Sequence, residues 1–341
     1  DSARSSVAKL IGCRPRDVIF NSGGTEGANL AIRGSLDAQP KRRHVATTRL
    51  EHSVLRDTPE SLAREGVVTH WLPHLPSGLL DLEALEELLT SHADDLALVS
   101  VMWVNNETGV IQPIHTIGAM CREHGVRFHT DAVQAVGKMP VDCASLNVDL
   151  LTFSGHKFHG PKGVGGMYVA PGVRLETQQT GGSQESGRRG GTENVPGIVG
   201  LGIAADHARD WLSGNGRTTQ AELRDSFEAG LRDRIPTMVV NGGDAPRNWS
   251  TSNLGFPGLE AEGMLMILSE RNVCVSAGAA CASGSIEPSP VLLSMGIPDE
   301  VAHGSLRFSI SRLTTSQEIS EAIAIISSAV EMLDASMMSH S

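Results

Sequence analysis

This sequence has no surplus of positive charge, no paired-cysteine pattern and no apolar run long enough to cross a bilayer. Each absence removes a class of function. A formal net charge of −11 argues against a general binder of nucleic acid or anionic membrane, because both need a basic surface. The five cysteines, Cys13, Cys121, Cys143, Cys274 and Cys281, form no C-x-x-C pair and are odd in number. A disulfide framework is therefore not expected, and a reducing, cytoplasmic setting is. No stretch reaches the length of a membrane span, and no signal-peptide pattern opens the chain. Internal repeats and low-complexity tracts are missing too. What is present is a chain of 341 residues, 20% charged and 40% hydrophobic. That is the composition of a soluble globular protein with one large domain or two.

The opening DSARSSVAKLIG reads as an amphipathic helix without an initiator methionine, as if the chain began inside a longer protein. Short apolar runs then alternate with helical patterns. Strands are expected at 17–20, 44–48, 66–71, 96–104, 126–131 and 149–154. Helices are expected at 25–36, 53–64, 81–90 and 113–124. This alternation predicts an α/β fold with a mostly parallel sheet and helices on both faces. Beyond about residue 190 the pattern changes. Long helices are expected at 194–211 and 219–234, then short strands in TMVVN, STSNLGF, VCVSA and SLRFSIS, then a helix at 316–334. The expected division is a large domain over 1–212 and a smaller α+β domain over 213–341.

In such sheets ligands sit beyond the carboxyl ends of the strands. The run DVIF is followed by NSGGTEGAN, where backbone amides and the Thr25 hydroxyl suit a phosphate at a helix start. An ordinary Ser/Gly cap fits that stretch as well. His52 follows HVATT in RLEHSV, and NNETG follows LALVSVMWV. Asp131 closes VRFHTD, with Gln134 three residues on. An acid at the end of a buried strand is costly unless it meets a cation or a donor. Ser154, His156 and Lys157 follow DLLTF. A lysine there, among glycines that admit a planar ligand, suits a Schiff base with an aldehyde cofactor. The bland alternative is a solvated loop lysine. Cys281, between AGAA and ASGS, reads as an available thiol, whereas Cys274 reads as an inert strand residue. Arg307, in a strand of Leu, Phe and Ile, calls for a carboxylate partner.

Two motifs are decoys. GHKFHGPK has glycine spacing like a P-loop, but Pro161 follows the second glycine and no Ser or Thr follows Lys162. GLGIAA (200–205) matches a dinucleotide fingerprint but lies within a helical pattern, where close helix packing explains it better. His156 and His159 have no further ligands at metal spacing, so no intrinsic metal site is expected.

Seven stretches together, SGGTEGANLAIRG, VNNETGVIQPI, HTDAVQAVGKMPVD, FSGHKFHGPKGVGGMYV, GGSQESGRRGGTENVPGIVGLG, SAGAACASGSIEPSPVLLSMG and HGSLRFSISRLTT, resemble the cysteine desulfurases of the NifS-like class. These belong to the aminotransferase class V family of pyridoxal 5'-phosphate enzymes. The resemblance runs in order over about residues 2–333. It implies the aspartate-aminotransferase-like fold, fold type I. It implies that Lys157 forms the Schiff base, that Asp131 pairs with the pyridine nitrogen, and that Gln134 and Asn106 contact the ring-oxygen side. His52 stacks on the ring and relays protons. Gly24, Thr25, Ser154 and His156 hold the phosphate, joined by Thr192 from the other subunit of a homodimer. Arg307 grips the substrate carboxylate beside Asn106. Cys281 accepts sulfur from L-cysteine as a persulfide, with release of L-alanine. The sulfur then passes to an iron–sulfur scaffold or another acceptor protein, where Cys281 shares in the iron of a scaffold-bound cluster. The family's opening strand, its Asn-Ala-Thr-Thr segment and its Gly-Asn-Pro-Ser loop are absent from this sequence. GGTE, NNETG and PSPVLLS also resemble selenocysteine lyases, the nearest rival. A truncated, non-catalytic relative that docks on a scaffold is the alternative from another class.

Overall fold

The computed structural model describes residues 1–277 and 288–338. The chain forms two compact units. One comprises Asp1–His74, Leu79–Val104 and Gln112–Gly214. The other comprises Leu75–Gly78, Asn105–Ile111 and Asn215–Ser341.

In the first unit α1 (Ser2–Leu10) leads to β1 (Val18–Asn21) and α2 (Gly24–Asp37). Then come β2 (His44–Thr48), α3 (Ser53–Ser61), β3 (Val68–Leu72), α4 (Leu82–His92) and β4 (Leu96–Ser100). The unit continues with α5 (Ile114–Glu123), β5 (Phe128–Asp131), β6 (Leu150–Ser154), β7 (Gly165–Val169) and α6 (Val195–Leu212). Seven strands make one sheet in the order β1-β7-β6-β5-β4-β2-β3. The run from β6 to β3 is parallel, and β7 is antiparallel to both its neighbours. Every residue of β4 and β6 is buried, as the apolar runs LALVS and LLTFS predict for inner strands. Ile19, Ile32, Leu55, Leu98 and Met167 join one apolar cluster of α2 and α3 with the sheet. Burying each such side chain contributes roughly 1.5–3 kcal/mol.

Three details differ from the sequence expectation. The strand expected over 96–104 ends at Ser100. Beyond it the chain still follows β5, the amides of Val101 and Trp103 donating to the carbonyls of His129 and Asp131 at 3.1 and 2.9 Å. The helix expected over 53–64 stops at Ser61 and tightens into a 3-10 turn, Leu62–Glu65. β7 was not anticipated, because two of the five residues in GGMYV are glycine and carry no hydrophobic signal. GLGIAA, by contrast, is helix packing as expected: a Cβ on Gly202 would lie 2.6 Å from Ala3 of α1.

The second unit contains α7 (Gly216–Arg234), β8 (Val239–Val240), β9 (Thr251–Gly255), α8 (Ala261–Glu270), β10 (Ser276–Ala277), α9 (Pro290–Ser294), α10 (Asp299–His303), β11 (Ser305–Ser309) and α11 (Ser316–Met338). Its antiparallel sheet runs β10-β11-β9-β8. Phe227, Leu231, Leu254, Met264, Leu268, Leu306 and Ile326 are at its core. Cys274 departs from expectation. Pairing with β11 reaches only Ser276 and Ala277, so Cys274 falls outside the ladder and is exposed. Among the described residues no helix is long and apolar enough to cross a membrane.

Candidate active site

In the first unit, the carboxyl ends of β1, β2, β5 and β6 carry most of the residues expected to do chemistry. β6 ends at Ser154 and turns directly into a 3-10 helix, Gly155–Phe158. The turn closes where the Gly155 amide donates to the Val164 carbonyl at 3.0 Å and the Gly160 amide to the Gly155 carbonyl at 2.9 Å. Lys157 lies on this turn and is exposed. Its positive charge acts on all three of His52, Asp131 and His156, adding to burial in lowering the two histidines and opposing the burial that raises Asp131. These four expected residues thus share one electrostatic neighbourhood.

Asp131 is the last residue of β5 and is buried. Burial pushes its pKa up to about 6, against the pull of the Val133 amide and of Lys157. The Val133 amide donates to Oδ1 at 2.9 Å. Gln134 follows in the next turn, where its Oε1 accepts from Lys138 Nζ at 2.5 Å. His52 caps α3, and its Nδ1 accepts the Val54 amide at 3.2 Å. That bond fixes the neutral tautomer with the proton on Nε2. Burial, then the charges of Lys157 and Arg56, lower its pKa and favour the neutral ring.

α2 starts without a side-chain cap, so the amides of its first turn lack intrahelical partners. The space before them is kept open by glycine. A Cβ on Gly23 would meet Ser154 Oγ at 3.2 Å, and one on Gly24 would meet Val133 Cγ2 at 2.8 Å. Ser154 Oγ and His156 Nδ1 lie 2.9 Å apart. The start of α2 at Gly23 thus lies against Ser154, which is itself paired with His156. Thr192 is exposed and lines a recess with Asn21, Ser22 and Arg189. Arg189 is held there by its ion pair with Glu26 at 2.8 Å.

Asn106 and Arg307 belong to the second unit. Arg307 projects from β11 and donates to the Asn106 carbonyl at 3.0 Å. Asn106 Oδ1 and Arg307 Nε are both buried without a hydrogen-bond partner among the described residues. Glu107, next in the chain, accepts from Ser289 Oγ, and Ser289 caps α9. Cys281 lies outside the described residues.

Sequence reasoning passed over Glu51. It directly precedes His52 and is almost fully buried. The available signal was an acid just beyond a buried strand, the same signal that singled out Asp131.

A mostly parallel sheet, a lysine beside its carboxyl edge, a buried acid and a glycine-opened helix start define an α/β enzyme built around a phosphate-bearing ligand. A solved NifS-like protein has the same fold, with a TM-score of 0.88 and 32% sequence identity over 97% of this chain and 87% of its own. The family model described as aminotransferase class-V matches residues 1–321. Cysteine desulfurase 2 of Trichormus variabilis is 46% identical over 98% of this chain and 82% of its own length. Cysteine desulfurase NifS of Azotobacter vinelandii is 45% identical over 94% of this chain and 79% of its own. The chain belongs to the aminotransferase class-V family, among its NifS-like members.

Proposed function

We infer that this chain is a cysteine desulfurase that depends on pyridoxal 5'-phosphate and converts L-cysteine to L-alanine. The observation that carries the reading is Lys157 at the carboxyl edge of a parallel sheet, with Asp131, His52 and His156 within reach of its charge. The residues fit the cofactor. The uncapped start of α2, with Gly24, Thr25, Ser154 and His156, suits its phosphate. A buried carboxylate at Asp131 suits a ring nitrogen that carries a proton.

When bound, the cofactor supplies an electron-withdrawing ring that accepts the charge left at the substrate Cα. Lys157 holds it through its amine and takes the Cα proton. Asp131 would hold the ring nitrogen in its protonated form. Neutral His52 would stack on the ring and move a proton through Nε2. Gln134 and Asn106 orient the ring-oxygen side, and Arg307 grips the substrate carboxylate beside Asn106. The Cys281 thiolate attacks the substrate sulfur, the Cβ–S bond breaks, and its electron pair stays with carbon. The sulfur remains on Cys281 as a persulfide and passes to an iron–sulfur scaffold or another acceptor protein. Thr192 completes the phosphate site from a second copy of the chain, in a cytoplasmic homodimer.

Incubation with L-cysteine, with alanine and sulfide assayed together, tests this. Alanine and sulfide in equal amounts under a reductant are expected. Absence of both, or alanine from selenocysteine alone, overturns it.

A further inference from the structure

Among the described residues, Glu51 is a carboxyl with no cation paired to it. It is only 1% exposed. Its Oε1 accepts the Met102 amide at 2.8 Å and the Thr48 hydroxyl at 3.5 Å. Its Oε2 is buried with no partner. The charges that act on it are Asp131 of β5 and Arg56 of α3. Arg56 makes no ion pair with it, and Arg56 Nε is itself buried without a partner. A buried carboxylate anion in this setting would be very costly. A carboxylic acid with one unpaired hydroxyl is far less so. Burial first, then the negative charge of Asp131, push Glu51 well above the usual carboxylate range.

The contacts of Glu51 lead to Asp131 through the backbone. Glu51 holds the amide of Met102, and the next amide, of Trp103, donates to the Asp131 carbonyl at 2.9 Å. The stretch beyond β4 is thus pinned on one side by Glu51 while it pins Asp131 on the other. We propose that Glu51 is a positioning residue for Asp131, acting as a neutral buried acid behind the carboxylate that faces the cofactor ring. It anchors the Met102–Trp103 backbone, and it leaves Asp131 as the one negative charge of the pair. The proposal rests on the assignment of Asp131 to the ring nitrogen.

Two measurements on the intact chain test it. The infrared difference between wild-type apoprotein and Glu51→Gln at neutral pH reads the charge state without the cofactor. A carboxylic-acid carbonyl band that is lost in the variant is expected, and its absence overturns the neutral acid. Equilibrium dialysis of pyridoxal 5'-phosphate reads the positioning. Glu51→Gln, which keeps an acceptor for Met102, should bind within about threefold of wild type. Glu51→Ala, which strands that amide, should bind about tenfold more weakly or worse. Water entering the alanine cavity should also relieve the burial of Asp131, so the acidic limb of binding moves to lower pH in Glu51→Ala and is restored by glutamine. A loss of fold alone would not move that limb. Equal weakening in both variants, or an unmoved limb, overturns the proposal. Asp131→Asn separates the two readings. If it binds cofactor normally, the assignment of Asp131 fails. If it binds poorly while Glu51→Ala binds normally, only the role of Glu51 fails.

Discussion

Three buried acids of this protein occupy opposite electrostatic situations. In the second unit, Glu228 of α7 is buried and fully paired. Arg247 donates to its two oxygens at 2.7 and 2.8 Å, and Ser252 Oγ donates at 2.7 Å. Burial alone would raise its pKa, but the Arg247 bonds prevail and hold it below the usual value. In the first unit, Asp131 and Glu51 are as deeply buried, make no ion pair, and are both pushed upward. The carboxyl and the burial are alike in the two units. What differs is whether, among the described residues, a cation forms an ion pair with them. A paired acid works as scaffold. An unpaired one is a standing cost, sustained by the rest of the fold and relieved when a ligand brings the missing charge.

The strongest test of this contrast is the cation at the site. Lys157→Ala should lower alanine release by about a thousandfold or more, because the amine both holds the cofactor and takes a proton. Its unfolding midpoint should stay near wild type, since Lys157 is exposed. A normal rate of alanine release would reduce GHKFHG to a glycine-rich turn.

Glu228→Gln should act the other way. It leaves the Arg247 guanidinium, 8% exposed at its side chain, without a counter-charge, at a cost of about 3–5 kcal/mol in denaturant titrations. If Glu228→Gln is as stable as wild type, the scaffold role of the pair is wrong.

Acid–base behaviour sharpens the comparison further. Asp131 binds its proton more tightly folded than unfolded, with a folded pKa of about 6 against a reference of 3.8. The apoprotein therefore loses stability from this group as pH rises from about 4 through 6, by up to about 3 kcal/mol. Glu228, lowered on folding, has the opposite sign: its contribution is present above the unfolded carboxylate pKa and is lost as pH falls below it. Asp131→Asn should flatten the first slope, and Glu228→Gln the second, in denaturation series across pH. The smallest effect is expected at Cys274. Because it is exposed, Cys274→Ala should change stability by less than about 0.5 kcal/mol. The sulfur added by L-cysteine should still be found by mass spectrometry on the peptide holding Cys281. Loss of that sulfur in Cys274→Ala, with retention in Cys281→Ala, would reverse the choice of nucleophile.

Much of the first unit was legible before folding. Apolar runs bounded by helical periodicity marked β2 and β6 almost to the residue, and the end of β5 at Asp131. Polar residues just beyond those runs marked Asp131, Ser154 and Lys157, because a parallel sheet exposes its strand ends on one edge. β7 escaped notice because its two glycines carry no hydrophobic signal. The second unit was less legible. β8 and β10 are two residues long, too short for any alternation to register. Cys274 looked like a strand residue because its valine neighbours alternate, although the ladder stops short of it.

The extents of most strands and helices and the position of the lysine after a strand follow from local periodicity and from residue types that constrain their own backbone, so the linear sequence determines them. Which charges stand paired does not follow from it. Glu228 meets Arg247 across 19 positions and Arg4 meets Glu185 across 181, and neither pairing leaves a local trace. Asp131 stood out in the sequence only as an acid closing an apolar run, and Glu51 read like any other acid. Only the tertiary structure decided that no cation reaches either as an ion-pair partner, because desolvation and partner distance are properties of the folded chain.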